Sequence, residues 1–212
     1  MDTDRLIDKL AADLRPVRPI WPPSARLAVW TVAAVAGTSI VVVMTGLRPD
    51  LSTKLTDPVF VTQELAALSV ALAACRAALA TCVPGEPRWR LWFPVAPLAF
   101  WTATLGYQYQ DEWARLGITG MEFHSDPMCL PMIALGSAVA LIAILWALRR
   151  GARLYPRCAL LWGSLASTAL GSVGLRLFHM EDAALMVIVW QLGSVLLLVV
   201  LAVLSKRFLL PP

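Results

Sequence analysis

Sulfur and imidazole side chains are the groups in this sequence best suited to bind a soft metal ion or to react with an oxidant. Both histidines, His124 and His179, and the cysteine Cys129 fall at predicted loops or helix ends on one side of the topology derived below, as do methionines such as Met180. We predict a sensing or metal-binding cluster of Cys129, His124, His179 and Met180. Methionine also fills gaps between helices, so packing is the alternative explanation.

The remaining cysteines are Cys75, Cys82 and Cys158, and none belongs to a CxxC pair or a zinc-like spacing. Along a helix, Cys75 and Cys82 would stand about 10.5 Å apart, beyond the roughly 7 Å that a disulfide allows. We predict that all three pack between helices. The sequence has no nucleophile elbow, HExxH motif or phosphate-binding loop. We therefore predict no enzyme and no cofactor, apart from a soft metal ion acting as a signal.

The composition indicates a membrane protein. Of 212 residues, 58% are hydrophobic and 15% are charged, with a mean hydropathy of +0.69; soluble domains carry about 25% charge. The net charge of +4 comes from basic residues at helix ends, not from a basic patch, which argues against direct nucleic-acid binding. The first apolar run is too long for a cleavable signal and should remain as an anchor.

Six apolar stretches approach or reach the roughly 20 residues that a helix needs to cross a bilayer. They lie at 26–47, 58–82, 90–109, 127–148, 157–177 and 183–204. Asp57-Pro58 and Asp126-Pro127 each read as a capping carboxylate before a proline at the first helical position. We predict an all-α, polytopic fold. It comprises an amphipathic helix and proline-rich spacer at 1–25, six transmembrane helices within 26–204, and a tail at 205–212.

Basic residues predict the orientation, because cytoplasmic loops are enriched in lysine and arginine. Only four of the 18 basic residues, Arg48, Lys54, Arg115 and Arg176, fall on one side, where acidic residues surround them. We predict that this side faces outward and that both termini are cytoplasmic.

Two charges, Glu64 and Arg76, lie inside the second predicted span. They either snorkel to opposite interfaces or pair with a neighbouring span. With Gln191 they are the polar groups that a small transporter or channel would use, and this is one alternative function. A quinone-linked thiol enzyme is another, but it would need a second outer cysteine beside Cys129.

The amino-terminal segment has the pattern of an amphipathic helix that ends at Pro16. Its apolar stripe and an adjoining acid are Leu6, Ile7, Leu10, Ala11, Asp13 and Leu14. So short a helix needs an apolar surface to be stable. Its polar face is acidic as often as basic, whereas lipid-bound helices favour basic faces. A groove on a protein partner is therefore favoured over its own transmembrane bundle or lipid.

Three motifs resemble the NrsF-type anti-sigma factors, which are six-span inner-membrane proteins of proteobacteria. They are the opening D-x-L-I-x-x-L-A-x-D-L-x-P-V pattern (ending at Pro16-Val17), GLRPDL at 46–51 and ALRRGA at 147–152. The resemblance implies that the amino-terminal segment holds an extracytoplasmic-function sigma factor at the membrane and releases it on an envelope signal, oxidative or from a soft metal.

The resemblance also implies two outer cysteines as sensing residues. The first matches Cys129, and the second would follow the histidine of an H-C-P-E-D stretch. This chain instead reads His179-Met180-Glu181-Asp182, so a disulfide between the two sites is impossible. We therefore expect sensing to use soft-metal binding or one-thiol chemistry at Cys129.

Overall fold

The structure, a computed structural model, describes residues 3–12, 21–117, 126–152 and 154–210. All regular secondary structure in these ranges is helical. We number the helices α1 Thr3–Ala12, α2 Pro23–Thr45, α3 Leu51–Lys54, α4 Pro58–Ala80, α5 Val95–Leu116, α6 Cys129–Arg149, α7 Pro156–Arg176, α8 Ala184–Leu204 and α9 Lys206–Leu209. A 3₁₀ helix, Arg88–Trp92, precedes α5, and α8 contains a π-helical segment, Val187–Leu192.

Among the described residues, five helices are long and apolar enough to cross a membrane: α2, α4, α6, α7 and α8. Helix α5 has 22 residues, but Gln108, Asp111 and Glu112 make its second half polar. The prediction of an all-α fold is therefore confirmed for the described residues, and the length and apolar composition of these helices agree with a membrane-spanning chain. By length and apolar composition, five of the six predicted spans are found.

The helix ends gather at two opposite poles. Near the start of α2, the Arg26 guanidinium donates to the carbonyl oxygen of Ala147 near the end of α6, at 2.8 Å. Arg149, the last residue of α6, donates to the carbonyl oxygen of Leu209 at 3.0 Å. The start of α2, the end of α6 and the carboxy-terminal helix α9 therefore share one pole. We call this the basic pole, because Arg149 and Arg150 lie there together with Lys206 and Arg207 of α9.

The path of α5 follows from the direction of its neighbours. Just after α4, the thiol of Cys82 lies 4.0 Å from the carbonyl oxygen of Leu148 at the basic pole. Helix α4 thus ends at the same pole as α6. Helix α7 begins at the basic pole and ends at the opposite one, and Gln108 in the second half of α5 bonds to the segment that follows α7, so α5 crosses the depth of the bundle.

Helix α7 forms the centre of the bundle, and most of its residues are buried. A side chain at Gly171 would place a Cβ 2.8 Å from the carbonyl oxygen of Ile133 in α6, so only glycine allows this backbone approach. The hydroxyls of Ser164, Ser167 and Thr168 bond to carbonyl oxygens of α7 itself. Small residues of this kind are typical of tight helix contacts in membranes.

Two expected helix starts are wrong. Helix α5, which corresponds to the third predicted span, begins at Val95 instead of residue 90, because Pro94 would interrupt a helix that began earlier. Asp126-Pro127 does not start the fourth span, because α6 begins at Cys129 and has no side-chain cap. Asp57, by contrast, caps α4 as predicted, since its carboxylate accepts from the Val59 amide at 2.9 Å.

Candidate functional site

Three potential ligand side chains converge at the pole opposite the basic one. Cys129 is the first residue of α6, His179 follows α7, and Asp126 precedes α6. The Cys129 thiol donates to Asp126 Oδ2 at 3.2 Å, and His179 Nε2 lies 2.6 Å from the same oxygen. The sulfur and His179 Nε2 are 4.0 Å apart. One sulfur, one nitrogen and one oxygen atom therefore face a common point.

This Asp126–Cys129–His179 cluster adjoins a small cavity of about 10 Å³, which Glu181 and Gln191 also line. Cys129 is buried, whereas the His179 and Asp126 side chains are 27% and 12% exposed. Burial alone would raise the pKa of Asp126, but hydrogen bonds from Cys129 and His179 outweigh it and the pKa is lowered. Asp126 is therefore an anion in the site at neutral pH.

A buried arginine ties this site to the end of α2. Gly46 ends α2 with φ +85°, a conformation natural to glycine, and the turn directs Arg48 inward. Arg48 Nη1 donates to the carbonyl oxygen of His179 at 3.1 Å, and Nη2 donates to Asp182 at 2.6 Å. Its Nε donates to Asp50 at 2.7 Å. We call this set of contacts the Arg48 clamp.

Asp182 is the acidic centre of the clamp. Lys54 lies 2.9 Å from its carboxylate, in addition to Arg48. Burial would raise the pKa of Asp182, but the hydrogen bonds from Arg48 and Lys54 prevail and lower it. The pKa of Asp50 is also lowered, chiefly by its hydrogen bond with Arg48. The clamp is therefore fully ionised at neutral pH.

Helix α5 holds the same turn from its other side. Gln108 donates to the backbone carbonyl of Asp182 at 2.8 Å, and Glu112 accepts from the amide of Ala184 at 2.8 Å. The polar second half of α5 thus has a structural role, because it fixes the segment between α7 and α8.

The charges inside the second span are paired. Glu64 lies 3.3 Å from Arg176 of α7, and Arg76 lies 3.3 Å from Glu86 in the following turn. Pairing with a neighbouring span therefore describes Glu64, whereas Arg76 reaches a loop. Gln191 donates to the carbonyl of a buried α7 serine at 3.3 Å. The three polar groups considered for a transport pathway thus each have a partner within the protein.

Three side chains of α2 form hydrogen bonds to the backbone of α6. The contacts are Arg26 to Ala147 at 2.8 Å, Trp30 to Ala140 at 2.9 Å and Thr38 to Gly136 at 3.0 Å. They extend from the basic pole to beyond the middle of the helices. We call them the α2–α6 ladder. It couples the helix that begins at Cys129 to the helix that follows the amino-terminal segment.

The structure brings together two of the predicted sensing residues, Cys129 and His179. Met180 follows His179 but is 61% exposed. His124 lies outside the described residues, as do Asp13 and Leu14 of the predicted partner-binding set. The other members of that set, Leu6, Ile7, Leu10 and Ala11, lie on α1, all of whose residues are exposed.

Asp126 is the site residue that sequence reasoning missed. In the sequence, Asp126-Pro127 reads as a helix cap, and a capping carboxylate is bound to backbone amides instead of facing a ligand. The spacing Asp126-x-x-Cys129 was the available signal, because three residues at the opening of a helix put both side chains on one side of the turn.

A search of curated proteins and a search of solved structures each found no match. The sequence model of one family, described as NrsF, negative regulator of sigma F, matches residues 10–211. The match covers nearly the whole chain and agrees with the motif resemblance at 46–51 and 147–152. The chain therefore belongs to the NrsF family of negative regulators of a sigma factor.

Proposed function

We propose that this protein holds an extracytoplasmic-function sigma factor at the bacterial inner membrane and releases it when the outer face receives a stress signal. Helix α1 is the sigma-binding element, the Asp126–Cys129–His179 cluster is the input, and the helices between them connect the two. The observation that carries the proposal is the uncovered apolar stripe of α1 in a chain that belongs to a family of sigma-factor regulators.

The proposed topology has six spans with both termini in the cytoplasm. The path of α5 from one pole to the other supports a sixth span in addition to the five apolar ones. The start of α2 and the helix α9 share the basic pole. Because arginine-rich turns favour the cytoplasmic side, this pole is the inner one and the cluster faces the periplasm.

The exposure, length and polar face of α1 favour a protein as its binding partner. Leu6, Ile7 and Leu10 are 40%, 57% and 62% exposed, so the transmembrane bundle does not cover them. A helix of 10 residues is too short to be stable alone in water. Its polar face carries acids as well as bases, which disfavours an anionic lipid surface. A hydrophobic groove on the sigma factor would both cover the stripe and stabilise the helix.

The contacts within the bundle support a route for the signal. A change at Cys129 acts on the first residue of α6, and the α2–α6 ladder transmits a movement of α6 to α2. The Arg48 clamp provides a second connection, from the turn at His179 to the outer end of α2. Both connections act on α2, the helix that follows α1 and its spacer, as a two-state switch requires.

Co-purification from membranes tests the proposal. The full-length protein is coexpressed in turn with each tagged extracytoplasmic-function sigma factor of its source organism, and Leu10→Asp is compared with Ala12→Asp. Both add one negative charge to α1, but residue 12 lies on the face opposite the stripe. We expect one sigma factor to be retained by the wild type and Ala12→Asp and lost with Leu10→Asp. Retention by Leu10→Asp would place the binding site elsewhere.

A further inference from the structure

We propose that Asp126, Cys129 and His179 bind one thiophilic divalent cation, of the class of Zn²⁺ and Cd²⁺, at the outer pole. This inference deepens the proposed function, because it gives the input site a ligand. Binding of the cation can be measured without the sigma factor, so the two proposals can fail separately.

The spacing of the three donor atoms suits a tetrahedral ion. With bonds of about 2.0–2.3 Å to oxygen, nitrogen and sulfur, ligands at a tetrahedral angle stand roughly 3.3–3.6 Å apart. Here the three donor pairs are 2.6, 3.2 and 4.0 Å apart. Each pair therefore needs to change by only about 0.3–0.8 Å to accept the ion. Rotations of the Asp126 and His179 side chains, which are both partly exposed, can supply such a change.

The donor types select the cation. One thiolate, one imidazole and one carboxylate suit borderline divalent ions, whereas Mg²⁺ and Ca²⁺ prefer sites made of oxygen ligands. On binding, the cation replaces the proton of the Cys129 thiol, which leaves to solvent, and His179 binds through an unprotonated Nε2. Thiolate and carboxylate together neutralise the two positive charges, so the partly buried complex carries no net charge.

The cavity beside the cluster provides the fourth coordination position. Its volume of about 10 Å³ is roughly enough to hold one water molecule. Three protein ligands with one water is a coordination that zinc adopts in proteins. Met180 is not required as a ligand, since its side chain is 61% exposed.

The Arg48 clamp orients the imidazole ligand. Its hydrogen bond to the His179 carbonyl fixes the backbone that carries the imidazole, while Asp182 binds the guanidinium and Lys54 binds Asp182. Groups that orient a metal ligand in this way usually contribute to affinity. A bound cation would join the start of α6 to the end of α7 and so change the force on both connections to α2.

Metal titration of the purified full-length protein in lipid nanodiscs tests the site. Cd²⁺ binding is followed by thiolate-to-metal charge-transfer absorption, and Zn²⁺ binding by calorimetry in a large excess of Mg²⁺. We expect one equivalent to bind, with no charge-transfer band in Cys129→Ser. Asp126→Asn and His179→Gln should weaken binding at least about tenfold. Replacing groups that only orient a metal ligand typically weakens metal affinity by about 10–100-fold, so replacing a ligand itself should cost at least as much.

Two matched variants serve as controls. Cys158→Ser removes another partly exposed thiol, near the basic pole, and Met180→Leu removes the neighbouring thioether. Both should bind the cation as the wild type does. No binding by the wild type, or loss of the band in Cys158→Ser with its retention in Cys129→Ser, would overturn the proposal.

The sigma-factor experiment separates this inference from the proposed function. If no cation binds while Leu10→Asp still releases the sigma factor, the metal site is wrong and the regulator stands. If the cation binds at Cys129 but no sigma factor is retained by the wild type, the metal site stands and the proposed function is wrong.

Discussion

Arg48 donates a hydrogen bond of 3.1 Å to the backbone carbonyl of His179, a residue 131 positions later in the chain. The two residues join the carboxy-terminal end of α2 to the turn that carries the imidazole of the candidate site. Since α1 and its spacer precede α2, this one contact lies between the proposed input and the proposed output. The side chain of Arg48 is only 1% exposed, so no water replaces its partners in the folded protein.

Removing the Arg48 charge should destabilise the fold markedly. In Arg48→Gln, the carboxylates of Asp50 and Asp182 lose their main partner, and breaking a buried ion pair typically costs about 3–5 kcal/mol. Unfolding in mixed micelles by a chemical denaturant measures the loss. Lys54→Gln is the matched control, because it removes a partly exposed cation from the carboxylate of Asp182. This substitution should cost roughly 0–1 kcal/mol. Equal losses in the two variants would contradict a special role of Arg48.

The clamp should also make the free energy of unfolding depend on pH. The pKa of Asp182 is lowered in the folded protein, where Arg48, Lys54 and Arg176 face its carboxylate. Its contribution is therefore complete above the ordinary pKa of 3.8 and is lost as pH falls through the lower folded value.

Thermal unfolding of wild type and Asp182→Asn at a series of pH values measures this contribution. The difference between the two should be constant from about pH 7 to pH 5 and should shrink below about pH 4. A difference that grows as pH falls would have the wrong sign for an ionised Asp182.

The contact of α6 with α7 depends on Gly171. In Gly171→Ala the new methyl group meets the carbonyl oxygen of Ile133, and backbone atoms cannot rotate away. We expect a loss of about 1–3 kcal/mol in the free energy of unfolding, as for other overpacked sites. Gly106→Ala is the control, because no atom lies within 4 Å of its added Cβ. It should be neutral or slightly stabilising, since alanine favours helices. Similar losses in both variants would indicate a general effect of helix substitution.

The helices of the fold were largely predictable from the sequence, because spans of this length have few alternatives in a bilayer. The first predicted span, 26–47, is found as Pro23–Thr45, and the second, 58–82, as Pro58–Ala80. The exception is α5. Its polar second half reads as a loop because the contacts of Gln108 and Glu112 with Asp182 and Ala184 join residues more than 70 positions apart in the chain.

The candidate site was only partly predictable for a related reason. Topology alone assigns Cys129 and His179 to the same pole, so their proximity was expected. Asp126 has two roles open to it in the sequence, as a helix cap or as a ligand, and the local pattern favours the cap. The choice depends on His179, which lies 53 residues away in the chain. Its Nε2 lies 2.6 Å from the Asp126 carboxylate, so this carboxylate faces the cluster.

The α2–α6 ladder should carry the signal and not only stabilise the bundle. Thr38→Val removes one interhelical hydrogen bond and Trp30→Phe another, while both keep most of the apolar contact. Interhelical hydrogen bonds in membranes contribute about 0.6 kcal/mol each, so the double variant should still fold and retain the sigma factor. Movement of α6 would then reach α2 less directly. Thr31→Val is the matched control, because that hydroxyl bonds to Leu27 within α2 itself.

A sigma-dependent reporter measured before and after addition of Zn²⁺ distinguishes the two roles. We expect the double variant to show the uninduced level of the wild type and a reduced ratio of induced to uninduced signal, with Thr31→Val unchanged in both. Full induction of the double variant would mean that the ladder is not needed and that the signal reaches α2 through the Arg48 clamp. A raised uninduced level would mean instead that the ladder holds the retaining state, because its loss would then release the sigma factor without any signal.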